Sequence, residues 1–334
     1  MRRMKWLCVM VALLAVGLAA PVSAADFPTK DLSGIICWGA GGATDNISRG
    51  VTPYVEKVLG KQIVLQNKPG ATGAVGLMTV YNSPADGYNL LYAAENPPLY
   101  KVLDVGQIDY DAFTPVMLFA RNVGVIVSNN DQPWKTLGDL FAAAKKTPGQ
   151  IKLGSTGVGG LPDVVSSFLK ANDGVTFNHI IFGGAGPAIT ALLGGHVQIT
   201  VLGMAECREH LRAGRLRALA VVSEVPIAEI KDVPLITATN AAYKKILPWG
   251  PFYGVFVKKE TPEPIKKTLI DAFQKGAADP KVREFIANFG SVFMGLSGAE
   301  AEAYIKKFQS ITTWALQDAG ATKFPPDKFG IPKP

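Results

Sequence analysis

Residues Ile35–Arg49, with the sequence I-I-C-W-G-A-G-G-A-T-D-N-I-S-R, decide the fold of this chain. The apolar residues at the start of this stretch predict a buried strand. The three glycines that follow allow a tight turn in which the backbone can approach a ligand closely. Thr44 or Asp45 can accept a hydrogen bond from a free backbone N–H and so start a helix. The stretch therefore predicts a helix N-terminus at the carboxyl end of a strand, where a small anion can bind.

The same unit of strand, glycine-rich corner and helix recurs along the chain. Glycine-rich corners lie at Gly39, Gly70, Gly154 and Gly183. Apolar strand-like segments alternate with segments of helical period, which indicates βαβ units and mostly parallel sheets. Because such units occur in both halves of the chain, we predict two α/β lobes whose helix N-termini face a shared cleft. Ligands of open α/β sheets bind at the carboxyl ends of the strands, where this cleft would lie.

Composition and charge indicate a globular chain without a nucleic-acid-binding surface. Hydrophobic residues make up 48% and charged residues 18% of the 334 residues, enough for two domains with cores. The formal net charge is +7, and removal of Arg2, Arg3 and Lys5 with a signal peptide would leave +4. Lysine and arginine are scattered along the sequence. It has no basic helix, and basic residues do not alternate with aromatic residues that could stack on bases. We therefore expect no nucleic-acid partner.

The N-terminus has the pattern of a secretory signal peptide. Residues 1–5 are basic, residues 6–18 are apolar, and Val22-Ser23-Ala24 has the small-x-small pattern of a cleavage site. We predict that residues 1–25 form a signal peptide that is removed, and that the mature protein is periplasmic. An uncleaved membrane anchor is the alternative, which the short apolar segment disfavours.

Side chains that would carry catalysis or hold a metal ion give weak signals. Ser155 lies in L-G-S-T-G, which lacks the glycine that a nucleophile elbow has two residues before its serine. The histidines have no spacing typical of a metal site, and the chain has no phosphate-binding P-loop. We predict a protein that is not an enzyme and needs no cofactor or metal. The alternative is an exported α/β hydrolase or transferase acting through Ser155 or His179. Cys37 and Cys207 are interpreted as free buried thiols rather than as a disulfide.

Seven motifs follow one another along nearly all of the mature chain. They are G-G-A-T-D at Gly41–Asp45, N-K-P-G-A-T-G at Asn67–Gly73, P-A-D-G-Y-N-L-L at Pro84–Leu91, Y-D-A-F-T-P-V at Tyr110–Val116, G-S-T-G-V-G at Gly154–Gly159, G-P-A-I-T-A-L-L-G-G-H-V at Gly186–Val197 and A-G-R-L-R-A-L-A-V at Ala213–Val221. Together they resemble the substrate-binding proteins of tripartite tricarboxylate transporters, the Bug-type periplasmic receptors.

The resemblance implies an α/β protein of the type II periplasmic-binding-protein fold, in which two βαβ lobes close on a small carboxylate held largely by backbone N–H groups. Residues 26–124 and 246–334 would form lobe 1, and residues 125–245 would form lobe 2. The ligand-binding residues implied for lobe 1 are Trp38, Gly39, Ala40, Gly41, Gly42, Ala43, Thr44, Asp45, Ala71, Thr72, Gly73, Glu95 and Asn96. Those implied for lobe 2 lie between Ser155 and Gly160 and between Phe182 and Ala185, namely Ser155, Thr156, Gly157, Gly160, Phe182, Gly183, Gly184 and Ala185.

The chain departs from the usual pattern of the family where polar or cationic residues are common. Gly160 and Asp163 stand in place of a serine and a histidine, Gly183 in place of a lysine, and Leu202-Gly203 in place of Phe-Asp. These differences favour a mono- or dicarboxylate with an apolar or aromatic body over citrate. The side chains of Trp38 and Phe182 would flank that body.

The resemblance also implies a permease with one large and one small membrane subunit. This chain, which we expect to be a monomer, would deliver its organic acid to that permease. Recognition of the liganded receptor by a membrane sensor stays open as a third role.

Overall fold

The computed structural model describes residues 27–182 and 185–334. The predicted signal peptide and two predicted site residues, Gly183 and Gly184, lie outside this part of the chain. The strands of the described residues are β1 (Leu32–Ile36), β2 (Ile63–Asn67), β3 (Asn89–Ala94), β4 (Phe113–Asn122), β5 (Gly124–Asn129), β6 (Lys152–Ser155), β7 (Asn178–Ile181), β8 (Ile199–Gly203), β9 (Leu216–Val222), β10 (Phe252–Lys258) and β11 (Ser291–Leu296). The α-helices are α1 (Ala43–Leu59), α2 (Ala74–Tyr81), α3 (Tyr100–Leu103), α4 (Leu137–Lys146), α5 (Leu161–Asp173), α6 (Ala185–Leu193), α7 (Met204–Arg212), α8 (Glu263–Ala277), α9 (Pro280–Asn288) and α10 (Gly298–Asp318).

The first sheet has six strands in the order β11-β4-β10-β3-β1-β2. β1 pairs in parallel with β2 and β3, whereas β10 pairs antiparallel with β3 and β4. Helix α1 covers this sheet with Ile47, Val51 and Val55, which are four residues apart and fully buried. Gly276 of α8 lies so close to Val55 that a Cβ there would be 2.8 Å from the Val55 backbone. The glycine therefore sets the close approach of α1 and α8.

The second sheet has five strands in the order β7-β6-β8-β5-β9. β6 pairs in parallel with β7 and β8, and β5 pairs antiparallel with β8 and β9. Its strands come from residues 124–222, so the chain leaves the first sheet after β4 and returns to it at β10. The predicted α/β class with two sheets is confirmed. The prediction of mostly parallel sheets was wrong, because four of the nine strand pairings in the described residues are parallel and five are antiparallel.

The sequence analysis missed β11 and α7. Strand β11 is at the edge of its sheet, pairs only with β4 among the described strands, and contains Gly295, so its sequence has little strand pattern. Helix α7 begins directly where β8 ends, at Gly203, without a loop that would mark the change from strand to helix. Strand β11 is thus defined by its pairing with β4 rather than by a local signal.

The predicted cap of α1 was wrong. Helix α1 begins at Ala43 with Gly42 as its N-cap, so neither Thr44 nor Asp45 caps it. Both residues lie in the first turn and are buried. The Asp45 carboxylate instead reaches back to the turn that precedes the helix.

One buried tryptophan, Trp249, packs between helices α5 and α10. Trp249 lies in the connection leading back to β10 and is buried. Its ring stacks on Phe308 of α10 with 5.9 Å between ring centroids, and it meets Phe168 of α5 edge-on at 4.8 Å. Its Nε1–H donates to Thr312 Oγ1 over 2.9 Å. Trp249 therefore fixes α5, whose N-terminus faces the second sheet's carboxyl edge, against α10.

Cys37 and Cys207 are unpaired and buried, as the sequence analysis favoured. Burial raises the pKa of the Cys37 thiol and of the Cys207 thiol to about 12. Both therefore stay protonated at neutral pH and behave as small apolar side chains. Of the helices in residues 27–182 and 185–334, none combines the length and apolar character that a membrane crossing requires.

Trp249→Ala should destabilise the protein by about 3–5 kcal/mol, because it leaves a large cavity and an unpaired Thr312 hydroxyl. Urea unfolding followed by circular dichroism measures this free energy. Trp249→Phe keeps the aromatic contacts and should cost less than half as much. Equal losses for the two variants would contradict a role for the ring system in joining α5 to α10.

Candidate functional site

A cavity of about 650 Å³ lies between the two sheets, and we call it the cleft. Its volume is typical of a site for a small molecule. Segments that follow β1, β3, β6 and β8 line it, as expected for the carboxyl edges of parallel strands. The lining residues are Trp38, Gly39, Ala40, Gly42, Ala43, Thr44, Thr72, Ala94, Glu95, Asn96, Asn122, Thr156, Gly157, Val158, Gly160, Leu161, Pro162, Phe182, Ala185, Ala188, Thr200, Val201, Leu202, Glu206, Pro251 and Tyr253.

The cleft brings together most of the residues that the sequence analysis singled out. Five of the predicted residues do not line it: Gly41, Asp45, Ala71, Gly73 and Ser155. Gly183 and Gly184 are outside the described residues. The other predicted residues are all in the lining, from the first sheet and from the second. Contact with a ligand stays a prediction for each of them.

The turn before α1 is held by one buried carboxylate. Asp45 Oδ2 accepts from the Gly41 N–H over 2.9 Å, and Asp45 Oδ1 accepts from Asn67 Nδ2 and Arg49 Nε, each over 2.8 Å. Asn67 Nδ2 also donates to the Trp38 carbonyl over 2.9 Å. Burial raises the pKa of Asp45, but these three hydrogen bonds outweigh it and hold the pKa below its ordinary value. Asp45 thus positions the turn that lines the cleft without lining it itself.

The turn before α5 repeats this design in the second sheet. The sequence G-A-G-G-A-T-D at Gly39–Asp45 is matched by G-V-G-G-L-P-D at Gly157–Asp163. Asp163 Oδ2 accepts from the Gly159 N–H over 2.9 Å, as Asp45 does from the Gly41 N–H. Gly159 and Gly41, whose N–H groups donate to these carboxylates, have φ angles of 79° and 80°, a conformation that favours glycine. This shared G-x-G-G-x-x-D pattern is the signal in the sequence that relates the two sides of the cleft.

Glycine at both N-caps leaves backbone donors free at the cleft. The N–H groups in the first turn of a helix have no acceptor within the helix. Serine, threonine or aspartate at the N-cap would accept from them, but Gly42 and Gly160 have no side chain to do so. Residues of both first turns line the cleft. Two helix N-termini, one from each side, thus offer uncapped N–H groups and a partial positive charge to a bound anion, although Pro162 in the first turn of α5 has no N–H to donate.

A third turn approaches the cleft with an unusual backbone. Ala71, Thr72 and Gly73 have φ angles of 45°, 54° and 93°, so two residues that are not glycine adopt the left-handed conformation. That conformation costs about 1–2 kcal/mol per residue. The Tyr100 hydroxyl donates to the Thr72 carbonyl over 2.7 Å and helps to hold the turn. Only Thr72 of the three lines the cleft.

Two acidic side chains line the same cleft. Burial raises the pKa of Glu95 to about 7; its own backbone N–H opposes the shift, and the neighbouring Glu206 carboxylate adds to it. Burial also raises the pKa of Glu206, against a hydrogen bond that Glu206 Oε2 accepts from the Gly203 N–H over 2.8 Å. Glu206 is the third residue of α7, and its carboxylate reaches back to Gly203 before the helix, much as Asp45 and Asp163 reach back to the turns before α1 and α5.

Several lining residues were not predicted from the sequence. They come from β3, β4, β8 and β10, from the helices α5, α6 and α7, and from the turns before α5 and β10, namely Ala94, Asn122, Val158, Leu161, Pro162, Ala188, Thr200, Val201, Leu202, Glu206, Pro251 and Tyr253. Asn122 and Tyr253 meet because β4 and β10 pair antiparallel, and Asn122 Nδ2 donates to the Tyr253 hydroxyl over 3.3 Å. A glutamate three residues after Gly203 is the signal that would have located α7 and Glu206.

The alternative of a hydrolase or transferase is not supported. The Ser155 hydroxyl is buried, accepts from the Gly157 N–H over 3.2 Å and does not line the cleft. His179 Nδ1 lies 3.1 Å from Asp163 Oδ1, and its Nε2 is 2.9 Å from the Ser166 hydroxyl. None of the three residues of this serine–histidine–aspartate chain lines the cleft, and Ser166 is buried. It ties β7 to the first turn of α5.

In the described part of the chain, no group of three or more histidine, cysteine, aspartate or glutamate side chains could hold a metal ion.

Glu95→Gln should make the unliganded protein more stable at pH 8 by about 1–3 kcal/mol and leave its stability unchanged at pH 4. The folded pKa of about 7 exceeds the ordinary value of 4.5, so wild-type stability is lost as pH rises between them. Urea unfolding at both pH values measures the difference. Glu300→Gln, at the exposed third position of α10, is the matched control and should show no gain. Equal stability of wild type and Glu95→Gln at pH 8 would contradict the shift.

Comparisons with known proteins agree with the resemblance carried by the seven motifs. The sequence profile described as tripartite tricarboxylate transporter family receptor matches residues 47–309. Protein BugT of Bordetella pertussis is 30% identical over 302 residues, which cover 81% of this chain and 90% of BugT. A solved periplasmic transporter is 30% identical, with a TM-score of 0.74 over 91% of this chain and 99% of its own. The periplasmic binding protein BugD is 26% identical, with a TM-score of 0.76 over 89% of this chain and 99% of its own.

The profile and the BugT alignment each cover most of the chain, and the structural matches extend over both sheets. The chain therefore belongs to the tripartite tricarboxylate transporter receptor family and has the two-lobe fold of periplasmic binding proteins.

Proposed function

We propose that this chain binds a small organic carboxylate in the cleft, leaves it chemically unchanged and delivers it to a membrane permease with one large and one small subunit. The protein would act in the periplasm as a monomer, after removal of residues 1–25. Membership of a family named for tricarboxylate transport supports a carboxylate ligand.

The observation that carries this proposal is the pair of uncapped helix N-termini at the cleft. A carboxylate has two oxygens and can accept from the first turn of α1 and from that of α5. Hydrogen bonds to a charged group contribute about 1.5–3 kcal/mol each, and each helix terminus adds about 0.3–1 kcal/mol. Main-chain donors bind the carboxylate without an arginine or lysine, which agrees with their absence among the described lining residues.

Closure of the two lobes would couple binding to delivery. Lobe 1 would comprise residues 26–124 and 246–334, and lobe 2 residues 125–245. A ligand that accepts hydrogen bonds from both N-termini is bound fully only when the lobes are close together, so it stabilises the closed form by its differential affinity. The closed form would then be the one that the permease recognises.

Apolar side chains at the mouth of the cleft support a ligand with an apolar body. Trp38 and Phe182 line opposite sides, and Val158 beside them is 52% exposed. A triacid such as citrate would place three negative charges in a cleft without a lysine, arginine or histidine among its described lining residues. We therefore expect a mono- or dicarboxylate rather than citrate.

Mass spectrometry of ligand released from the purified protein should detect an unmodified organic acid in stoichiometric amount. A thermal-shift panel should then rank mono- and dicarboxylates above citrate and isocitrate. Conversion of the bound compound into a product on incubation would contradict the receptor function. Preferential stabilisation by the triacids would contradict the expected ligand class but not the receptor function.

Gly42→Asp should raise protein stability slightly, by a few tenths of a kcal/mol, while it weakens carboxylate binding at least tenfold. The new carboxylate accepts from the first-turn N–H groups, as a natural N-cap does. It also repels a ligand carboxylate by about 4 kcal/mol at 4 Å for an effective dielectric constant of 20. Gly42 has an extended backbone, and the nearest atom to a Cβ there is the Gly39 carbonyl oxygen at 3.4 Å, so the fold should tolerate the side chain.

Gly42→Asn is the matched control, because it caps the helix without the charge. Isothermal titration calorimetry with the identified ligand should give an intermediate affinity for it. If Gly42→Asp binds as tightly as wild type, the carboxylate does not occupy the N-terminus of α1.

A further inference from the structure

The acidic side chains of the cleft occupy equivalent places in the two sheets. In the first sheet β3, which Glu95 follows, lies between β1, which leads to the glycine turn, and β10. In the second sheet β8, which leads to Glu206, lies between β6, which leads to the other glycine turn, and β5. The chain crosses between the sheets from β4 to β5 and again before β10. Glu95 and Glu206 are therefore one strand nearer to the crossing than the glycine turns, on the inner side of the cleft.

Glu206 affects the pKa of Glu95, and the two acids share a neighbour in Tyr253. The Glu206 carboxylate raises the pKa of Glu95, and both carboxylates raise the pKa of Tyr253. All three residues line the cleft. Glu206 Oε2 accepts from the Gly203 N–H, and the carboxylate keeps further acceptor capacity for a ligand. Among the described residues, the backbone N–H of Glu95 itself is the one hydrogen-bond donor that lowers the pKa of the Glu95 carboxyl group.

No protein cation balances these acids among the described lining residues, which include no lysine, arginine or histidine. The nearby Arg121 is engaged elsewhere. Its Nη2 lies 2.5 Å from Glu224 Oε1, and its Nη1 donates to the Trp249 carbonyl over 3.0 Å. The inner cleft is thus acidic while the helix N-termini on its outer side favour an anion.

We propose that the ligand is an amino carboxylate, whose protonated amine pairs with Glu95 and Glu206 while its carboxylate accepts from the N-termini of α1 and α5. This inference rests on the proposed function and specifies its substrate class. A plain dicarboxylate would place its second carboxylate against two acids. An ammonium group is both a cation and a donor of three hydrogen bonds, so it satisfies both glutamates.

Glu95 also gives the binding a pH dependence of known sign. An ammonium ligand favours ionised Glu95, so its affinity should rise about tenfold from pH 6 to pH 8, and binding at pH 7 should release protons. A dicarboxylate would favour protonated Glu95 and show the opposite sign. The titratable groups around Glu95 are Glu206 of α7, Tyr253 of β10, Tyr100 of α3, Tyr304 of α10 and Tyr110 before β4. Burial raises the pKa of each tyrosine, so between pH 6 and pH 8 they stay neutral.

Three matched pairs of probes test the inference by calorimetry at pH 8. They are succinate with aspartate, glutarate with glutamate, and 3-phenylpropionate with phenylalanine. The two members of each pair share a carbon skeleton and differ by the amine. In the pair that binds best, the amine should tighten binding at least tenfold, with proton release at pH 7 measured in two buffers of different ionisation enthalpy.

Glu95→Gln and Glu206→Gln should each reduce this preference at least tenfold, and Glu300→Gln should leave it unchanged. The glutamine at position 206 can still accept from the Gly203 N–H, and circular dichroism checks that both variants are folded. Tighter binding of the deaminated member in every pair that binds would overturn the inference and leave the carboxylate receptor in place. So would equal preference in wild type and both variants. If none of the six probes bound the wild-type protein, the inference that the ligand is an amino carboxylate of this size would be contradicted. If the compound released from the purified protein also had no carboxylate group, both this inference and the proposed function would fail.

Discussion

The structure depends on backbone N–H groups in the first turn of a helix, which have no acceptor within the helix. A side chain at the N-cap can satisfy them, as Thr136 does for α4, but α1 and α5 have Gly42 and Gly160 at that position. An aspartate at the third position reaches back to the preceding turn instead, through Asp45 and Asp163. The turn is thereby fixed while the donors at its edge stay free. The absence of an N-cap side chain lowers the stability of the helix and leaves these donors free at the cleft.

The cleft also contains other groups that lower the stability of the folded protein. Ala71 and Thr72 are in the left-handed conformation beside it. Glu95 and Glu206 are placed where burial raises the pKa of both carboxyl groups. Unfavourable groups of this kind concentrate at functional sites, because the surrounding fold supplies the stability that they lose. Here the buried Trp249 contacts are part of that supply. The polarity of the cleft thus changes along its depth, from donors near the turns to acceptors near the crossing.

Much of the fold and half of the site could be predicted from local sequence. The glycine turns before α1 and α5 carry their own signal, because tight turns and close backbone approach require glycine. The sequence analysis found no local signal for Glu206, Asn122 and Tyr253. Glu206 reaches the cleft only because β8 lies beside β6 and continues directly into α7. Asn122 and Tyr253 meet only through the antiparallel pairing of β4 with β10. Strand neighbours far apart in the chain leave no local pattern.

By itself the sequence determined the α/β class, the glycine turns and membership of the receptor family, because periodicity, turn chemistry and motif order are properties of contiguous residues. Only the tertiary structure decided which residue caps α1, since Asp45 is drawn to Gly41, Asn67 and Arg49 rather than to the helix terminus. It also decided that two glutamates share a cleft without a lysine, arginine or histidine among its described lining residues. Charge balance in a cavity depends on which strands lie side by side, and chain folding alone fixes that order.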